Sequence, residues 1–368
     1  MTIRRPSKIN EKKKKTKISV GVLFGGKSSE HQISLLSASN IIRAIPKDTY
    51  RIVPIGINKQ GTLFHFKKKN FILHPTDPKK IRLADGGESV SFGFGKSRRL
   101  VYLKTKKQGP KLDILFPVLH GVFGEDGTIQ GLAELADIPY VGCGVLGSAI
   151  GMDKDVTKRL LRDAQIPVAD FLTLHSHERS DIRFSSMKQK FGLPFFVKPA
   201  VAGSSVGVHK VRSQKEFHAA IDDAFSQCSK ILIERMVVGK EIECAVLGNE
   251  HPIASLPGEV IPQHDFYSYE AKYLDENGAL FHIPVKLSTA TIKKIQTVVA
   301  KTYQVLECSG MARVDGFLQS DGNFILNEIN TIPGFTSISM YPKLWEVSGL
   351  NYTDLIDRLI QLALKRAP

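Results

Sequence analysis

At 368 residues the chain is too long for one ordinary core, so two or three packed subdomains are expected. Its 42% apolar and 24% charged residues are those of a soluble globular protein and exclude disorder and fibre. The net charge of +15 invites a nucleic-acid or membrane partner, but its distribution argues otherwise. Residues 1–17 hold eight basic residues against one acid, and residues 67–111 hold thirteen against three. Residues 112–368 sum to −5, so a basic tail and a basic segment sit on a mildly acidic body. Nucleic acid is therefore not expected as the main partner. Cys143, Cys228, Cys244 and Cys308 are widely spaced with no Cys-x-x-Cys pair, which excludes a zinc site or disulfide framework and fits a reducing compartment. The apolar run Val20–Phe24 is far too short for a signal or a span, so a cytoplasmic protein without a membrane partner is expected.

In chain order, residues 1–17 read as a basic disordered tail. Ile18–Phe24 reads as a buried strand that stops at Gly25-Gly26, followed by a helix over Gln32–Ile45 and a second strand over Arg51–Ile57. Strand, loop, helix and strand predict a parallel sheet. Residues 58–111, rich in Lys, Gly and Pro, read as a peripheral hairpin-like insertion. Asp113–Leu119 is the next buried strand, Gly127–Ala136 suits a helix and Pro139–Gly144 a short strand, with a boundary near residue 145. A second unit over 146–240 holds a helix at Asp155–Gln165 and strands at Phe195–Pro199, Val206–Val211 and Ile231–Met236. Its other helix starts at Ser213, three residues before Glu216, as a capping box requires. A third unit over 241–368 opens with the strand Glu241–Leu247 and carries a loop over 256–285, too long to be a mere connection. It continues with a helix over about 288–307, strands at Val314–Gln319 and Phe324–Ile329, and an amphipathic helix after Asn351.

Gly21 to Ser28 literally matches the P-loop pattern G-x-x-x-x-G-K-[ST]. In a true P-loop the strand precedes the first glycine, whereas here Val22, Leu23 and Phe24 are the strand itself. The better reading is a strand-end loop over Gly25–Ser29 that opens into a helix, where parallel sheets bind their ligands.

Four constellations can carry chemistry. Arg313 and Asp315 share one face of a strand, as do Glu328 and Asn330 on its neighbour, and the turn at 320–323 brings the pairs face to face. Their oxygens suit Mg²⁺, although solvent-facing polar residues on an amphipathic hairpin would look alike. Thr331 to Gly334 adds a sharp turn with backbone N–H groups beside these carboxylates. Lys198 and the small-residue loop Gly203–Gly207 could close over a triphosphate, or form a flexible hairpin turn. Glu234 and Glu241 flank a strand-to-strand hinge, where they could bind a ribose hydroxyl or read an adenine amino group, or simply be exposed. Asp265 to Tyr273 holds three tyrosines, a Phe and a Lys, and reads as a lid or as an aromatic loop packed on its own domain.

Taken together, these residues resemble, in order, the D-alanine–D-alanine ligases of the ATP-grasp superfamily. The matching pieces are Gly25 to His31, His120-Gly121 with Gly124-Glu125-Asp126-Gly127, Met152-Asp153-Lys154, and Val197-Lys198-Pro199 with Gly203–Gly207. Tyr267–Tyr273, Ala312-Arg313-Val314-Asp315 and Asn327–Met340 complete the series, which runs from about residue 18 to the C-terminus. The resemblance implies an α/β chain of three-domain ATP-grasp architecture with a Rossmann-like parallel-sheet domain at its N-terminus. It implies ATP-dependent joining of two D-alanines through a D-alanyl phosphate, with D-alanyl-D-lactate or D-alanyl-D-serine synthesis as the alternative. It also implies a homodimer and two Mg²⁺ ions, replaceable by Mn²⁺.

Carried over by position, Glu30 would hold the first ammonium in a network with Ser204 and Tyr273, beside His120. Lys154, Lys198 and Lys272, with Gly203 and Ser205, would meet the phosphates, and Glu234 and Glu241 the adenosine. Asp315, Glu328 and Asn330 would hold the metals, while Arg313 and the Gly334 N–H would face the developing oxyanion. Ser339 and the Met340 N–H would take the second carboxylate. Met340 stands where relatives more often carry Leu, a volume-conserving swap. Tyr273, in place of Phe or His, favours an amine over a hydroxy acid as second substrate. The basic tail and the basic segment belong to no family signature.

Overall fold

The computed structural model describes residues 16–203, 206–263 and 279–366. The basic tail, apart from Thr16 and Lys17, lies outside these, as do Ser204, Ser205, Lys272 and Tyr273.

Strand Ile18–Gly25 is buried along almost its whole length, as expected of a parallel strand covered on both faces. It runs parallel to Tyr50–Ile57 on one side and to Ile114–Val118 on the other. Helix His31–Ala44 crosses between the first two and buries Leu35, Ala38 and Ile41 on one face of the sheet. Gly21 lies inside the strand, where a Cβ would come within 2.9 Å of the Leu115 side chain, so the P-loop geometry is absent. The chain first turns at Gly25 and Gly26, whose φ of +96° and +98° suits glycine.

Residues 58–111 form antiparallel strands at one edge of this sheet and add to its core. Leu63–His65, Glu88–Phe92, Arg99–Tyr102 and Gln108–Lys111 continue the sheet in antiparallel fashion from the edge of Tyr50–Ile57. The alternating residues Val90, Phe92, Leu100 and Tyr102 are buried against Leu23, Ile55 and Leu115. Lysine-rich turns hid a short apolar alternation that pays for its own ordering. The strand expected over Pro139–Gly144 reduces to one bridge between Leu115 and Tyr140, because Gly142, at φ +99°, bends the chain away.

A second, antiparallel sheet follows in the order Phe171–His175, Lys230–Arg235, Phe195–Pro199, His209–Val211. Helices Phe184–Phe191 and Gln214–Gln227 cover it around Phe195 and Phe217. The capping box forms: Ser213 Oγ accepts from the Glu216 N–H at 3.3 Å and Glu216 accepts from the Ser213 N–H at 3.1 Å. Helix Lys154–Asp163 joins this sheet to the third unit: Asp155 accepts from Thr173 and Lys230 of the sheet, while Leu161 shares a core with Ile295 and Val299 of helix Thr289–Val305.

The third sheet is ordered Ala279–His282, Gly258–Pro262, Lys240–Gly248, Gly310–Leu318, Phe324–Asn330, with Ile253–Ala254 beside Lys240–Gly248. The expected loop over 256–285 therefore contains two paired strands, and the part between them, 264–278, lies outside the described residues. Helix Met340–Val347, unforeseen because Pro342 sits in its first turn where proline is tolerated, lies on this sheet. Closing helix Tyr352–Arg366 wedges between the first and third sheets, so Val22, Leu35, Phe335, Met311, Leu355 and Leu359 form one core. Leu359→Ala should cost about 2–5 kcal/mol, because the side chain is fully buried between packed sheets that can close only partly on the cavity left behind. The urea midpoint reads the loss directly, and a loss below about 1 kcal/mol would mean the first and third sheets do not share this core. Among the described residues no helix is long and apolar enough to cross a membrane.

Candidate active site

The hairpin of Gly310–Leu318 and Phe324–Asn330 sets Arg313 opposite Asn330 and Asp315 opposite Glu328. Arg313 is held by a fork: Nε and Nη2 donate to Asp315 at 2.8 and 2.7 Å, and Nε lies 2.9 Å from Glu243 on the neighbouring strand. Asn330 Nδ2 donates to the same Asp315 carboxylate at 2.9 Å. A register shift after Asp315 leaves Asn327 as an extra residue, and its Oδ1 accepts from Lys198 Nζ at 3.4 Å. Gly316 is needed there, since a Cβ would meet the Phe324 ring at 2.6 Å.

Two spaces meet at this hairpin. A cleft of about 840 Å³ lies between the second and third sheets, walled by Phe196, Val208, Val260, Phe317 and Leu318. Its back is the chain crossing from one sheet to the other, Met236 to Gly239, where Val238 is 73% exposed. Lys154, Lys198, Glu234, Glu241 and Glu328 all line it. Lys154 opens helix Lys154–Asp163, whose first N–H groups are capped by Asp153, and its Nζ donates to the Ala202 carbonyl at 2.6 Å and lies 3.8 Å from Glu328. Glu234 is buried, with Lys158 Nζ 2.5 Å from one oxygen and Lys198 at the other. Burial pushes the Glu234 carboxyl up, but Lys158 and then Lys198 more than offset this and hold it below its ordinary value. Its carboxylate is thus turned into the floor of the cleft, and Glu241 stands at the far side of the crossing.

The second space is small, about 80 Å³, and is lined by Glu30, His120, Gly203, Arg313, Gly334 and Ser339, together with Met340 and Asn330. Among the described residues Glu328 alone lines both spaces. Glu30 is buried at the start of helix His31–Ala44, where the helix dipole favours a carboxylate. Two glycines make room for it: a Cβ would come within 2.8 Å of its Oε2 at Gly121 and 3.1 Å at Gly203. Gly203 therefore faces the small space rather than the cleft. His120 Nδ1 lies 3.0 Å from the Ile332 carbonyl, so that nitrogen carries the proton, and burial holds the ring neutral. Gly334 packs against Ser339, whose Oγ accepts from the Thr336 N–H at 3.0 Å, and Ser339 precedes helix Met340–Val347. Ser339 and Met340 both line the small space, so the start of that helix borders it. No preformed cage of three or more His, Cys, Asp or Glu side chains occurs among the described residues. Asp315, Glu328 and Asn330 instead present a few hard oxygens beside lysines, which fits Mg²⁺ shared with phosphate.

Two family descriptions match the chain: "D-ala D-ala ligase N-terminus" over residues 19–143 and "D-ala D-ala ligase C-terminus" over residues 160–361. The chain belongs to the D-alanine–D-alanine ligase family. It is 50% identical over 348 residues to a D-alanine–D-alanine ligase of Oceanobacillus iheyensis, covering 94% of this chain and 95% of that one. It is 49% identical over 351 residues to D-alanine–D-alanine ligase A of Escherichia coli, covering 95% and 96%. Among solved structures, the D-alanine–D-alanine ligase of Coxiella burnetii superposes with a TM-score of 0.82 at 38% identity, covering 95% of each chain. A D-Ala:D-Ser ligase of Enterococcus faecalis superposes with a TM-score of 0.84 at 34% identity, covering 95% of this chain and all of that one. The α/β fold read from the sequence is thus the ligase fold.

Several groups at this ligase site escaped the sequence reading. Lys158 is four residues after Lys154 on one helical face, which was a usable signal. Glu243 breaks a buried strand at the position opposite Asp315. Asn327 had no signal, because only the bulge turns it towards Lys198. Glu125 lies in the motif Gly124-Glu125-Asp126-Gly127, which by itself implies no role for it. Burial and the nearby charge of Glu30 push its carboxyl up to about 8, against the opposing pull of two N–H donors and Arg313. The folded state thus keeps a proton that the unfolded chain releases near 4.5, so this contribution to stability is complete below that pH and is lost as pH rises through about 8. The melting temperature of the wild type should fall relative to Glu125→Gln between pH 5 and pH 9. Parallel curves would show that Glu125 does not titrate there.

Proposed function

We propose that this protein joins two D-alanine molecules with ATP, giving ADP, phosphate and the D-alanyl-D-alanine used in peptidoglycan precursors. The observation that carries the reading is Glu328 as the shared wall between a nucleotide-sized cleft and a small polar space. The cleft has an apolar wall and exposed Val238 for a heterocycle, Glu241 for the ribose, and Lys154 and Lys198 for phosphates. The small space offers Glu30 to an ammonium and Arg313 to a carboxylate or oxyanion. Such a site works mainly by positioning and charge neutralisation.

Glu30 and His120 would orient the first D-alanine so that its carboxylate attacks the terminal phosphorus and ADP leaves. The amine of the second D-alanine then attacks the acyl carbon, and phosphate leaves as the nitrogen loses its proton. Its own carboxylate would rest on Ser339 and the Met340 N–H. Arg313 and the Gly334 N–H would receive the negative charge that grows on the carbonyl oxygen. Asp315, Glu328 and Asn330 would hold Mg²⁺, which supplies charge neutralisation of the phosphates when bound. Ser204, Ser205, Lys272 and Tyr273 keep the roles the resemblance implies, and a homodimer working in the cytoplasm is part of the same reading. Relatives near half identity are D-alanine–D-alanine ligases, which supports alanine over serine or lactate as second substrate. ADP release measured with D-alanine, D-serine and D-lactate, with mass determination of the product, tests this. Turnover that ignores D-alanine would sink it.

A further inference from the structure

The Ile332 peptide is gripped on both sides by one short loop of the first domain. Its N–H donates to Glu125 Oε1 at 3.1 Å and its carbonyl accepts from His120 Nδ1 at 3.0 Å. The other oxygen of Glu125 accepts from the Gly121 N–H at 2.7 Å, so the carboxyl ties the loop to itself as well as to Ile332. Ser37 extends the grip, with its Oγ accepting from the Phe335 N–H at 3.2 Å and lying 3.3 Å from His120 Nε2. Between these fixed points lie only Pro333 and Gly334. The first domain thereby sets the position of a backbone amide carried by the third.

We propose that Glu125 is a positioning residue of the ligase reaction: by clasping the Ile332 peptide together with His120, it aims the Gly334 N–H at the reacting carbonyl. The chemistry of the site demands a carboxyl here. Two N–H donors converge on the two oxygens, and both atoms remain oxygens in either protonation state. An amide at the same place would turn an NH₂ group against one of the two N–H donors, leaving that donor without an acceptor in a buried setting. Aspartate, shorter by one methylene, cannot reach both donors from the same backbone. The groups facing Glu125 are otherwise Glu30 and Arg313, both already committed to the small space. Because an oxyanion donor acts only in the transition state, loosening it should lower kcat and leave nucleotide binding alone.

The inference rests on the ligase reading and on Gly334 as an oxyanion donor, and the test separates them. D-alanine-dependent ADP release by the wild type is the control, and its absence would strike the ligase reading rather than the clasp. With that control in hand, Glu125→Gln should lower kcat at saturating substrates at least tenfold, with KM for ATP unchanged. Hydrogen exchange over residues 332–335 should quicken in the same variant while the rest of the chain keeps its protection. Glu125→Asp should fall with it, since the carboxyl must reach both donors. A kcat within twofold of wild type in Glu125→Gln would overturn the proposal. So would a parallel loss of ATP binding and melting temperature in both variants, which would make Glu125 structural only. Full rescue of kcat by Glu125→Asp would overturn it too, by showing that a carboxyl too short to span both donors suffices.

Discussion

Replacing Glu328 with Gln should lower kcat for ADP release by about a thousandfold and leave the fold intact. The amide keeps the shape of the side chain and one oxygen, so packing is undisturbed. Its side chain is 27% exposed, and its long ion pair to Lys154, at 3.8 Å, is worth little in water-accessible surroundings. The loss is instead one of charge where the two spaces join, the place at which phosphate must pass from nucleotide to substrate. Negative charge at that wall is what would retain Mg²⁺ against its own hydration. The variant should therefore need far more Mg²⁺ for half-maximal rate, while ADP binding without metal stays unchanged. A rate within tenfold of wild type at every Mg²⁺ concentration would refute this placement of Glu328.

How much of this site could be read beforehand depended on which physical rule governed each residue. Arg313, Asp315, Glu328 and Asn330 obey strand alternation across a tight turn, so their convergence could be stated from spacing, and the register agrees. Glu30, His120 and the pair Gly334 and Ser339 come from three separate loops, and no periodicity joins them; only likeness to known ligases suggested one cavity. Asn327 shows the opposite limit, because a bulge overrides the alternation that would have turned it away. In the fold, a run of lysines in 67–111 outweighed the short apolar alternation of Val90, Phe92, Leu100 and Tyr102. Charge in turns is compatible with a buried strand between them. For helix Lys154–Asp163 the spacing gives the segment but not its partners, since amphipathicity tells which face is buried and not what buries it.

Glu234→Leu should destabilise the protein by about 3–5 kcal/mol and abolish turnover, and a second substitution should separate the two effects. Glu234 sits between Lys158, wholly buried, and Lys198 on the cleft wall, so its removal strands the Lys158 ammonium in a place water does not reach. Burial already lowers the Lys158 pKa, with Glu234 the main opposing influence, so losing that carboxylate drives Lys158 further towards the neutral form. Adding Lys158→Met to Glu234→Leu fills the same volume with apolar atoms and removes the stranded charge; it should recover most of the lost stability. Turnover should stay absent in the double variant, because Lys198 would still lack the carboxylate that aims it into the cleft and would keep its contact with Asn327 at 3.4 Å. The acid limb offers an independent check. Since the Glu234 pKa is held below its unfolded value of 4.5, its contribution is present above that pH and lost as pH falls through the folded value. Wild type should therefore lose stability below pH 4.5 more steeply than the double variant. Equal slopes, or a double variant no more stable than Glu234→Leu alone, would show that Lys158 and Glu234 do not act as a buried pair.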